Sequence, residues 1–332
     1  MKRNIYLKTI PPAEAVARVK ASIDREALIR EETIPSHEAS GRVLAHAVHA
    51  RYSSPTFHSA AMDGYAVNAR STFAAREGHP LTLKAGETCF AVNTGHPMPE
   101  GCDAVIMIEQ VVLDGGSVTI EAPAFPWQHV RRIGEDIVAT ELLFPRNHQL
   151  RPWDVGALLS GGIWDVPVWE RVTVRIIPTG DEVLDFTTHP DPGKGQVVES
   201  NSQMLAALAR ELGCVVERAA PVPDNPEALH QALKDSLDAG RHLTIFCAGS
   251  SAGSKDFTRA TLEKEGEILT HGIAAMPGKP SLLANCRGRL VAGAPGYPVS
   301  ALVCFKELLE PLISWLSHRE PPAKTVVPVE LT

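Results

Sequence analysis

The second half of the chain alternates strand-like and helix-like segments, and this alternation restricts the possible folds more than any other feature. Apolar runs at 172–177 and 243–248 are typical of buried strands, and the segments at 202–212 and 226–238 repeat apolar residues at helical spacing. Strands that alternate with helices predict an α/β fold built on a parallel, doubly wound sheet.

Further segments of the same kind follow in this half of the chain. They predict a helix near 256–265, strands near 267–274, 281–285 and 289–293, and a last helix at 299–317. Ligands of doubly wound sheets bind outside the carboxyl ends of the strands. The loops that follow predicted strands are therefore the predicted binding edge: 178–182, 248–256 and 293–298.

Residues 49–130 have a different pattern of apolar and turn-forming residues. Short strand-like runs, among them 81–84 and 104–108, are separated at close intervals by Gly, Pro, Asn and Asp. This pattern predicts a β-rich, barrel-like insert. Unless the insert closes into a barrel, we expect its apolar strand faces, such as those of Val105, Met107, Leu81 and Leu83, to be only partly covered by their own chain.

Two helical segments flank the insert. The first, at 11–30, begins with two prolines and carries an irregular apolar stripe, and the second, at 151–163, ends at a Gly-Gly pair. The stripe of the first helix has no evident partner in the alternating region. We therefore expect it to pack against its symmetry mate in a two-fold homodimer.

These patterns divide the chain into a helical connector that also serves dimerisation, a β-rich insert, an α/β domain and a tail. The predicted boundaries are 1–48 with 131–168 for the connector, 49–130 for the insert, 169–318 for the α/β domain and 319–332 for the tail.

Charge and cysteine content exclude several classes of protein. The chain has 32 Lys and Arg against 39 Asp and Glu, a net charge of −7, and 5% aromatic residues, which argues against nucleic-acid binding. Its six cysteines form no C-x-x-C pair, and no segment has the pattern of a secretion signal or of a membrane-spanning helix. We expect a cytoplasmic protein that contacts neither nucleic acid nor membrane.

The loop at 248–256 joins a predicted buried strand to a helix, and two interpretations compete for it. Its small residues let the backbone approach a ligand, and N–H groups at the start of a helix favour an anion such as phosphate. Residues 249–253, Gly-Ser-Ser-Ala-Gly, also match the nucleophile elbow of serine hydrolases, with Ser251 as the nucleophile. The elbow requires a later acid and His; His271 follows closely, and no oxyanion segment lies upstream.

Charged residues in loops are the other candidates for chemistry. Lys279 lies in a Pro-Gly-Lys-Pro turn whose prolines restrict the backbone, so it could meet an oxyanion as a positioned point charge. Four carboxylates lie in predicted loops: Asp63, Asp136, Glu182 and Asp256. If they converge on a phosphate-bearing ligand they need a hard cation between them, most simply Mg²⁺.

An ordered set of short motifs, spread from about residue 40 to residue 301, resembles the molybdopterin molybdenumtransferase family, which includes bacterial MoeA and the E domain of gephyrin. The motifs are Ser-Gly-Arg-Val-Leu-Ala at 40–45, Ala-Met-Asp-Gly-Tyr-Ala-Val at 61–67, Thr-Gly at 94–95 with Pro-Glu-Gly at 99–101, Gly-Glu-Asp at 134–136, Thr-Gly-Asp-Glu at 179–182, the loop 249–256, Pro-Gly-Lys-Pro at 277–280 and the turn 293–301. One such motif is weak, whereas the ordered set is specific.

The resemblance implies a molybdopterin-binding α/β domain of the MoCF type beside the β-rich insert. It implies insertion of molybdate into adenylylated molybdopterin with Mg²⁺, releasing AMP and the molybdenum cofactor. It also implies a cytoplasmic homodimer whose cleft lies between the α/β domain of one subunit and the insert of the other. Other proteins of cofactor biosynthesis are further candidate partners.

Site residues are carried over one by one from the matching motifs. The predicted catalytic residues are Asp63, Asp136, Glu182 and Asp256, of which Glu182 and Asp256 are also predicted Mg²⁺ ligands. The predicted substrate-binding residues are Thr94, Gly180, Asp181, Glu199, Gly249, Ser250, Ser251, Gly253, Lys279, Pro295 and Gly296. Under the resemblance Ser251 belongs to a phosphate loop rather than acting as a nucleophile.

The chain departs from the family pattern in four places. Ala248 replaces the first glycine of the phosphate loop, Glu199 stands where Asp is usual, and Tyr297 replaces Asn in the Pro-Gly-Asn-Pro turn. The family's C-terminal β domain is expected to be missing after about residue 319. Two alternative hypotheses stay open beside the transferase: a non-catalytic module that binds or carries molybdopterin, and a serine hydrolase that uses Ser251.

Overall fold

A computed structural model gives the fold and describes residues 9–247 and 257–322. The helices of these ranges are α1 (Pro12–Ser22), α2 (Arg25–Leu28), α3 (Pro152–Ser160), α4 (Asn201–Glu211), α5 (Pro226–Asp238), α6 (Phe257–Glu265), α7 (Pro298–Cys304) and α8 (Glu310–Leu316). A π-helical segment, Phe305–Leu309, joins α7 to α8. None of the helices in the described ranges has the length and apolarity needed to cross a lipid bilayer.

The strands form two groups, one before α3 in the chain and one after it. The first group is β1 (Glu31–Pro35), β2 (Val48–His49), β3 (Ser59–Ala60), β4 (Gly64–Val67), β5 (Leu81–Lys84), β6 (Cys89–Val92), β7 (Ala104–Met107), β8 (Val112–Asp114), β9 (Ser117–Ile120), β10 (Val130–Arg131) and β11 (Leu142–Phe144). The second group is β12 (Asp165–Trp169), β13 (Thr173–Pro178), β14 (Val183–Leu184), β15 (Val197–Val198), β16 (Val215–Arg218), β17 (Leu243–Cys247), β18 (Gly266–His271), β19 (Leu282–Cys286) and β20 (Arg289–Ala294).

The main sheet has the strand order β16-β13-β17-β20-β19-β18. Its first four strands are parallel, which confirms the predicted α/β class, but β18 and β19 run antiparallel to their neighbours, so the expectation of an all-parallel sheet is wrong at this edge. The reason for the pairing of β19 with β20 is the short connection between them. Arg287 and Gly288 both have positive φ, of 53° and 78°, and such a two-residue turn joins only antiparallel strands.

Helices cover both faces of this sheet, as a doubly wound fold requires. Neighbouring residues of β13 point to opposite sides: Ile176 packs with Leu205 of α4 in one core, and Ile177 packs with Leu229 of α5 in the other. The first core also receives α1 and α8, and the second receives α6 through Leu262. Burial on both faces explains why these strands are continuously apolar.

The first helical segment differs from its prediction in two respects. It is two helices rather than one, because the chain turns after α1 and Asp24 caps α2, its Oδ1 accepting the N–H of Ala27 at 3.2 Å. The apolar stripe of α1, with Val16 and Val19, is buried against the α/β core of its own chain. The Nδ2 of Asn285 in β19 donates to the carbonyl of Ser22 at 2.9 Å, which ties the end of α1 to the sheet. The stripe therefore does not call for a second subunit.

The β-rich insert consists of two three-stranded antiparallel sheets, β6-β4-β7 and β5-β9-β8. Val67 and Ile106 of the first sheet share one core with Leu83 and Val118 of the second. Leu83 and Val105 are both buried within the chain, at 5% and 0% exposure, whereas Leu81 and Met107 are only partly buried. For Leu83 and Val105 the expectation of partly covered strand faces is wrong, because the core between the two sheets covers Leu83, and Val105 packs with Val130 on the opposite face.

The connector joins the insert to the α/β core through β1 paired with β12 and β2 paired with β11, both antiparallel. Helix α3 packs here through Leu158, in a cluster with Leu44, Leu150 and Val166. It ends at Gly161, which confirms the predicted Gly-Gly stop. The connector thus has a small core of its own beside the two larger ones.

Candidate functional site

A pocket of about 450 Å³ lies at the carboxyl edge of the main sheet, where the sequence predicts a binding site. It is bordered by the ends of β13 and β17, by the segment that leads into α4 and by the start of α7. Its lining residues are Pro178, Thr179, Glu182, Val183, Val197, Val198, Glu199, Ser200, Asn201, Cys247, Gly296, Tyr297 and Pro298. Predicted residues from three separate segments, Glu182, Glu199 and Gly296, therefore come together.

The loop after β13 is tied to the neighbouring strand at its first residue. The N–H and the hydroxyl of Thr179 both donate to the carbonyl of Cys247, at 3.0 and 3.1 Å. Gly180 follows with φ of +134°, and a Cβ there would lie 2.9 Å from Oε2 of Glu182. Only glycine fits this bend, which turns Glu182 into the pocket mouth as an exposed carboxylate. Asp181 points to the other side and accepts the N–H of Asp224 at 3.1 Å.

Glu199 is held quite differently from Glu182. Its side chain is 3% exposed, and its two oxygens accept the N–H and the hydroxyl of Ser202 at 2.7 and 2.6 Å. These contacts cap the first turn of α4. Because both oxygens are engaged, Glu199 forms the base of the pocket rather than a free ligand group.

Arg218, at the end of β16, completes this buried cluster. Its Nε donates to the hydroxyl of Ser202 at 2.9 Å, and its Nη2 lies 3.4 Å from Glu199 and 3.1 Å from Asp185. Its guanidinium also lies over the ring of Phe186, 4.5 Å from the centroid. The backbone N–H of Thr187, together with Arg218, lowers the pKa of Asp185, so this carboxylate is ionised at neutral pH.

The start of α7 forms the opposite side of the pocket. The Nδ2 of Asn201 donates to the carbonyl of Gly296 at 2.7 Å, which links the beginning of α4 to the turn before α7. Pro295 is buried behind this turn, whereas Tyr297 is 77% exposed at the pocket mouth. Burial raises the pKa of the Cys247 thiol on the pocket floor, so this cysteine is a neutral lining group and not a nucleophile.

The predicted residues of the insert form a second cluster. Asp63 precedes β4, and its Oδ1 accepts the backbone N–H of Thr94, after β6, at 2.7 Å. The hydrogen bonds from Thr94 lower the pKa of the Asp63 carboxyl, which is exposed and therefore ionised and accessible at neutral pH. Gly64 next to it is required, because a Cβ there would lie 2.0 Å from the carbonyl oxygen of Ile106.

Two other predicted residues lie away from the pocket lining in the described part of the chain. Asp136 is exposed in the turn after β10, and its N–H donates to the carbonyl of Ser54 at 3.0 Å. Lys279 is exposed in the connection from β18 to β19, with Gly278 packed against Val303 of α7. Within one chain the structure therefore does not bring Asp63, Asp136 or Lys279 into the pocket.

Five predicted residues lie outside the described residues: Gly249, Ser250, Ser251, Gly253 and Asp256. Among the residues that are described, no group of three or more His, Cys, Asp and Glu side chains is arranged to hold a metal ion. Of the two predicted Mg²⁺ ligands, Glu182 and Asp256, only Glu182 lies in the described part of the chain.

Sequence reasoning did not single out Arg218, Ser202 or Asp185. Arg218 ends an ordinary strand, and no local motif marks it. Only the parallel pairing of β16 with β13 brings it beside the segment 182–200. Thr179 and Asn201 adjoin predicted residues, so an analysis of hydrogen-bonding side chains next to each motif could have found them.

Comparison with known proteins gives two consecutive family matches. Residues 10–162 match the MoeA N-terminal region (domain I and II), and residues 175–315 match a family described as a probable molybdopterin binding domain.

Individual relatives agree with these matches. A molybdopterin molybdenumtransferase of Haemophilus influenzae is 34% identical over 309 residues, which are 87% of this chain and 74% of the relative. The same-named protein of Synechococcus elongatus is 32% identical and covers 85% and 74%. Among solved structures, the molybdopterin biosynthesis moea protein of Pyrococcus horikosii is 29% identical, with a TM-score of 0.80 over 94% of this chain and 81% of that one.

Proposed function

The chain belongs to the molybdopterin molybdenumtransferase family and is an enzyme of molybdenum cofactor biosynthesis, and from this premise we propose that it inserts molybdate into adenylylated molybdopterin and releases AMP. The observation that carries the proposal is the pocket at the carboxyl edge of the main sheet, where Glu182, Glu199 and Gly296 meet. Glu182 and Gly296 come from motifs that the family resemblance singled out, and Glu199 stands at a position where the family usually has Asp.

The pocket suits a ligand with a flat ring system and a charged end. Val183, Val197 and Val198 supply an apolar side, and the turn at Gly296 leads into the N-terminus of α7. Apolar walls with a few placed polar groups are typical of sites for small organic ligands. A pterin fits the apolar side, and the loop 249–256 is the predicted phosphate loop.

Glu182 is the described residue that fits a Mg²⁺ ion. Its carboxylate is exposed at the pocket mouth, whereas both oxygens of Glu199 are occupied by Ser202. Magnesium in phosphoryl-transfer sites is commonly held by one or two carboxylates together with substrate phosphates. We propose that Glu182 and Asp256 hold Mg²⁺, which when bound neutralises the phosphoanhydride charge. The chain itself positions the substrates and needs no covalent nucleophile.

The insert residues Asp63, Thr94 and Asp136 do not line the pocket of their own chain. They can take part in the reaction if the insert of a second subunit reaches that pocket. We propose a homodimer in which the insert of one chain meets the pocket of the other. The argument for a dimer from the apolar stripe of α1 fails, because that stripe is covered within its own chain, and the argument from the insert is weakened, because most of its apolar strand residues are buried. The support is instead an exposed apolar face around the end of α3: Tyr52, Leu142, Leu159 and Trp164.

The experiment for the reaction is an AMP-release assay with the full chain, adenylylated molybdopterin and molybdate. We expect molybdate-dependent AMP release, reduced by a factor of about 10²–10³ in Glu182→Gln. Glu267→Gln, an exposed glutamate of β18, is the matched control and keeps wild-type turnover. Tight pterin binding without AMP release would assign the chain to a binding or carrier module instead.

The experiment for the composite site mixes inactive chains. Asp63→Ala and Glu182→Ala proteins are each expected to be inactive, and a mixture of the two to recover up to a quarter of the activity, since only a mixed dimer retains one intact site. No recovery, or a 35.8 kDa monomer in light scattering at micromolar concentration, contradicts the homodimer.

We further propose a cytoplasmic location, supported by the free thiols of all six cysteines. The serine-hydrolase alternative rests on Ser251, which lies outside the described residues. Labelling by a fluorophosphonate probe distinguishes it, since a transferase of this family is expected not to react.

A further inference from the structure

One side of the pocket is formed by residues 182–200, the pocket wall, which lies outside the main sheet. It contains β14 and β15, which pair with each other and form no strand of the six-stranded sheet. The N–H of Val197 donates to the carbonyl of Glu182, and the N–H of Glu199 to that of Leu184, both at 2.9 Å. Because these backbone bonds are internal to the wall, its position over the sheet depends on other contacts.

Arg218 supplies such contacts from the edge strand of the sheet. It reaches the pocket wall at three residues: its Nη2 bonds Asp185 and Glu199, and its guanidinium lies over the ring of Phe186. Its Nε bonds the hydroxyl of Ser202 in α4. One side chain, 14% exposed, thus joins the sheet, the wall and the helix that follows it.

The charges at this junction explain why a cation is needed. Oxygens of Asp185 and Glu199 both lie within 3.4 Å of the same Arg218 nitrogen. Without the guanidinium, two carboxylates would face each other in a mostly buried place and repel. The repulsion would then push the Asp185 side of the wall away from Glu199, which Ser202 ties to α4, and the pocket would open on that side.

We propose that Arg218 is a positioning residue of this site: it holds the pocket wall against the sheet, so that Glu182 and the wall valines stay where the substrate needs them. The identity of the substrate in this inference rests on the proposed function. The anchoring of the wall does not rest on that function and can be measured separately.

The anchoring is tested by hydrogen exchange of the full chain. In Arg218→Gln, amide exchange in peptides covering 183–200 is expected to be at least 10-fold faster, because repulsion between Asp185 and Glu199 across the β14–β15 pair breaks the backbone bonds of Val197 and Glu199 more often. Peptides covering β17 should exchange as in the wild type. Arg210→Gln, an exposed arginine in the last turn of α4, is the matched control and should change neither region.

The effect on the site is tested by kinetics with adenylylated molybdopterin. We expect KM to rise at least 10-fold in Arg218→Gln, because the wall contacts the substrate before reaction. Arg218→Lys should recover part of the loss, since an ammonium can meet one carboxylate but not the whole cluster. A merely lower amount of folded protein would reduce the apparent kcat and leave KM unchanged.

Contrary results can be assigned to their source. Wild-type exchange in the wall of Arg218→Gln would overturn the anchoring, and fast exchange with unchanged KM would overturn the positioning role. If the wild type itself releases no AMP, the proposed function fails, and hydrogen exchange alone decides whether Arg218 anchors the wall. Should Arg218→Gln fold poorly, Asp185→Asn removes one contact from the wall side and is expected to show the same faster exchange.

Discussion

The pocket and the β insert each contain a predicted carboxylate, and the two differ in burial and in the number of hydrogen bonds that they accept. Glu199 is buried at the base of the pocket with donors from Ser202 and Arg218 on its oxygens. Asp63 is exposed on the insert and accepts one backbone N–H, from Thr94. A carboxylate whose oxygens are all engaged supports structure, whereas one with a free oxygen can meet a ligand. The family resemblance led to the prediction of both residues, Glu199 as a substitute for the usual Asp, and only the surroundings separate their roles.

The largest effect on folding is expected from Glu199→Ala. It leaves Arg218 and the Ser202 donors without their buried acceptor, and removing one partner of a buried ion pair costs about 3–5 kcal/mol. Urea denaturation should show this loss in the free energy of unfolding. A loss below about 1 kcal/mol would show that Glu199, like Asp63, contributes little to stability.

A close approach of backbones in the insert gives the next largest effect. Gly64→Ala would put a Cβ 2.0 Å from the carbonyl oxygen of Ile106 in the adjacent strand, and neither backbone can move cheaply. We expect a loss of about 3 kcal/mol in thermal unfolding. Gly156→Ala, in α3 with open space around its Cβ, is the control and should gain up to about 1 kcal/mol. Equal effects at the two glycines would refute the close approach.

A third carboxylate, Asp154 in α3, tests the same distinction through pH. Burial raises its pKa, but hydrogen bonds from Arg151 and His148 outweigh burial and hold the pKa at about 2, below its ordinary value of 3.8. A lowered pKa stabilises the folded state fully above about pH 4, and that stability is lost as pH falls towards 2.

The expected contribution of Asp154 at neutral pH is about 2 kcal/mol. In Asp154→Asn the free energy of unfolding should be lower at pH 7, and its decline between pH 4 and pH 2 should be shallower than in the wild type. Parallel pH profiles for the two proteins would show that this carboxylate does not contribute.

The smallest effect on folding is expected from Asp63→Asn, although its effect on activity should be large. The exposed side chain carries no buried contact, so the unfolding midpoint should not change measurably. AMP release should fall at least about 10-fold, as for the loss of one group that contacts the reacting ligand. Unchanged AMP release with normal stability would remove Asp63 from the proposed site.

Local patterns in the sequence were sufficient to predict several parts of the molecule. Apolar runs and helical spacing predicted β13, α4, α5 and β17 to within a few residues, because in these segments the local period agrees with the final packing. The Thr179–Glu182 loop and the Asp63 turn were recognised from their family motifs, and the structure shows that each motif contains a glycine that a larger residue could not replace without strain, Gly180 and Gly64.

Other features depended on pairings between distant segments. The sequence predicted neither the antiparallel edge of the sheet, nor the packing of α1 on its own core, nor the place of Arg218. For α1 and for Arg218 the deciding contact joins residues far apart in the chain, Asn285 with Ser22 and Arg218 with Asp185. The antiparallel edge instead follows from the turn at Arg287 and Gly288, which the strand pattern on either side did not reveal. The amino-acid sequence by itself therefore determined the elements, the class of fold and the motifs at the binding edge. Only the tertiary structure decided which carboxylates are engaged and which are free, because burial and charge pairing arise when the segments pack.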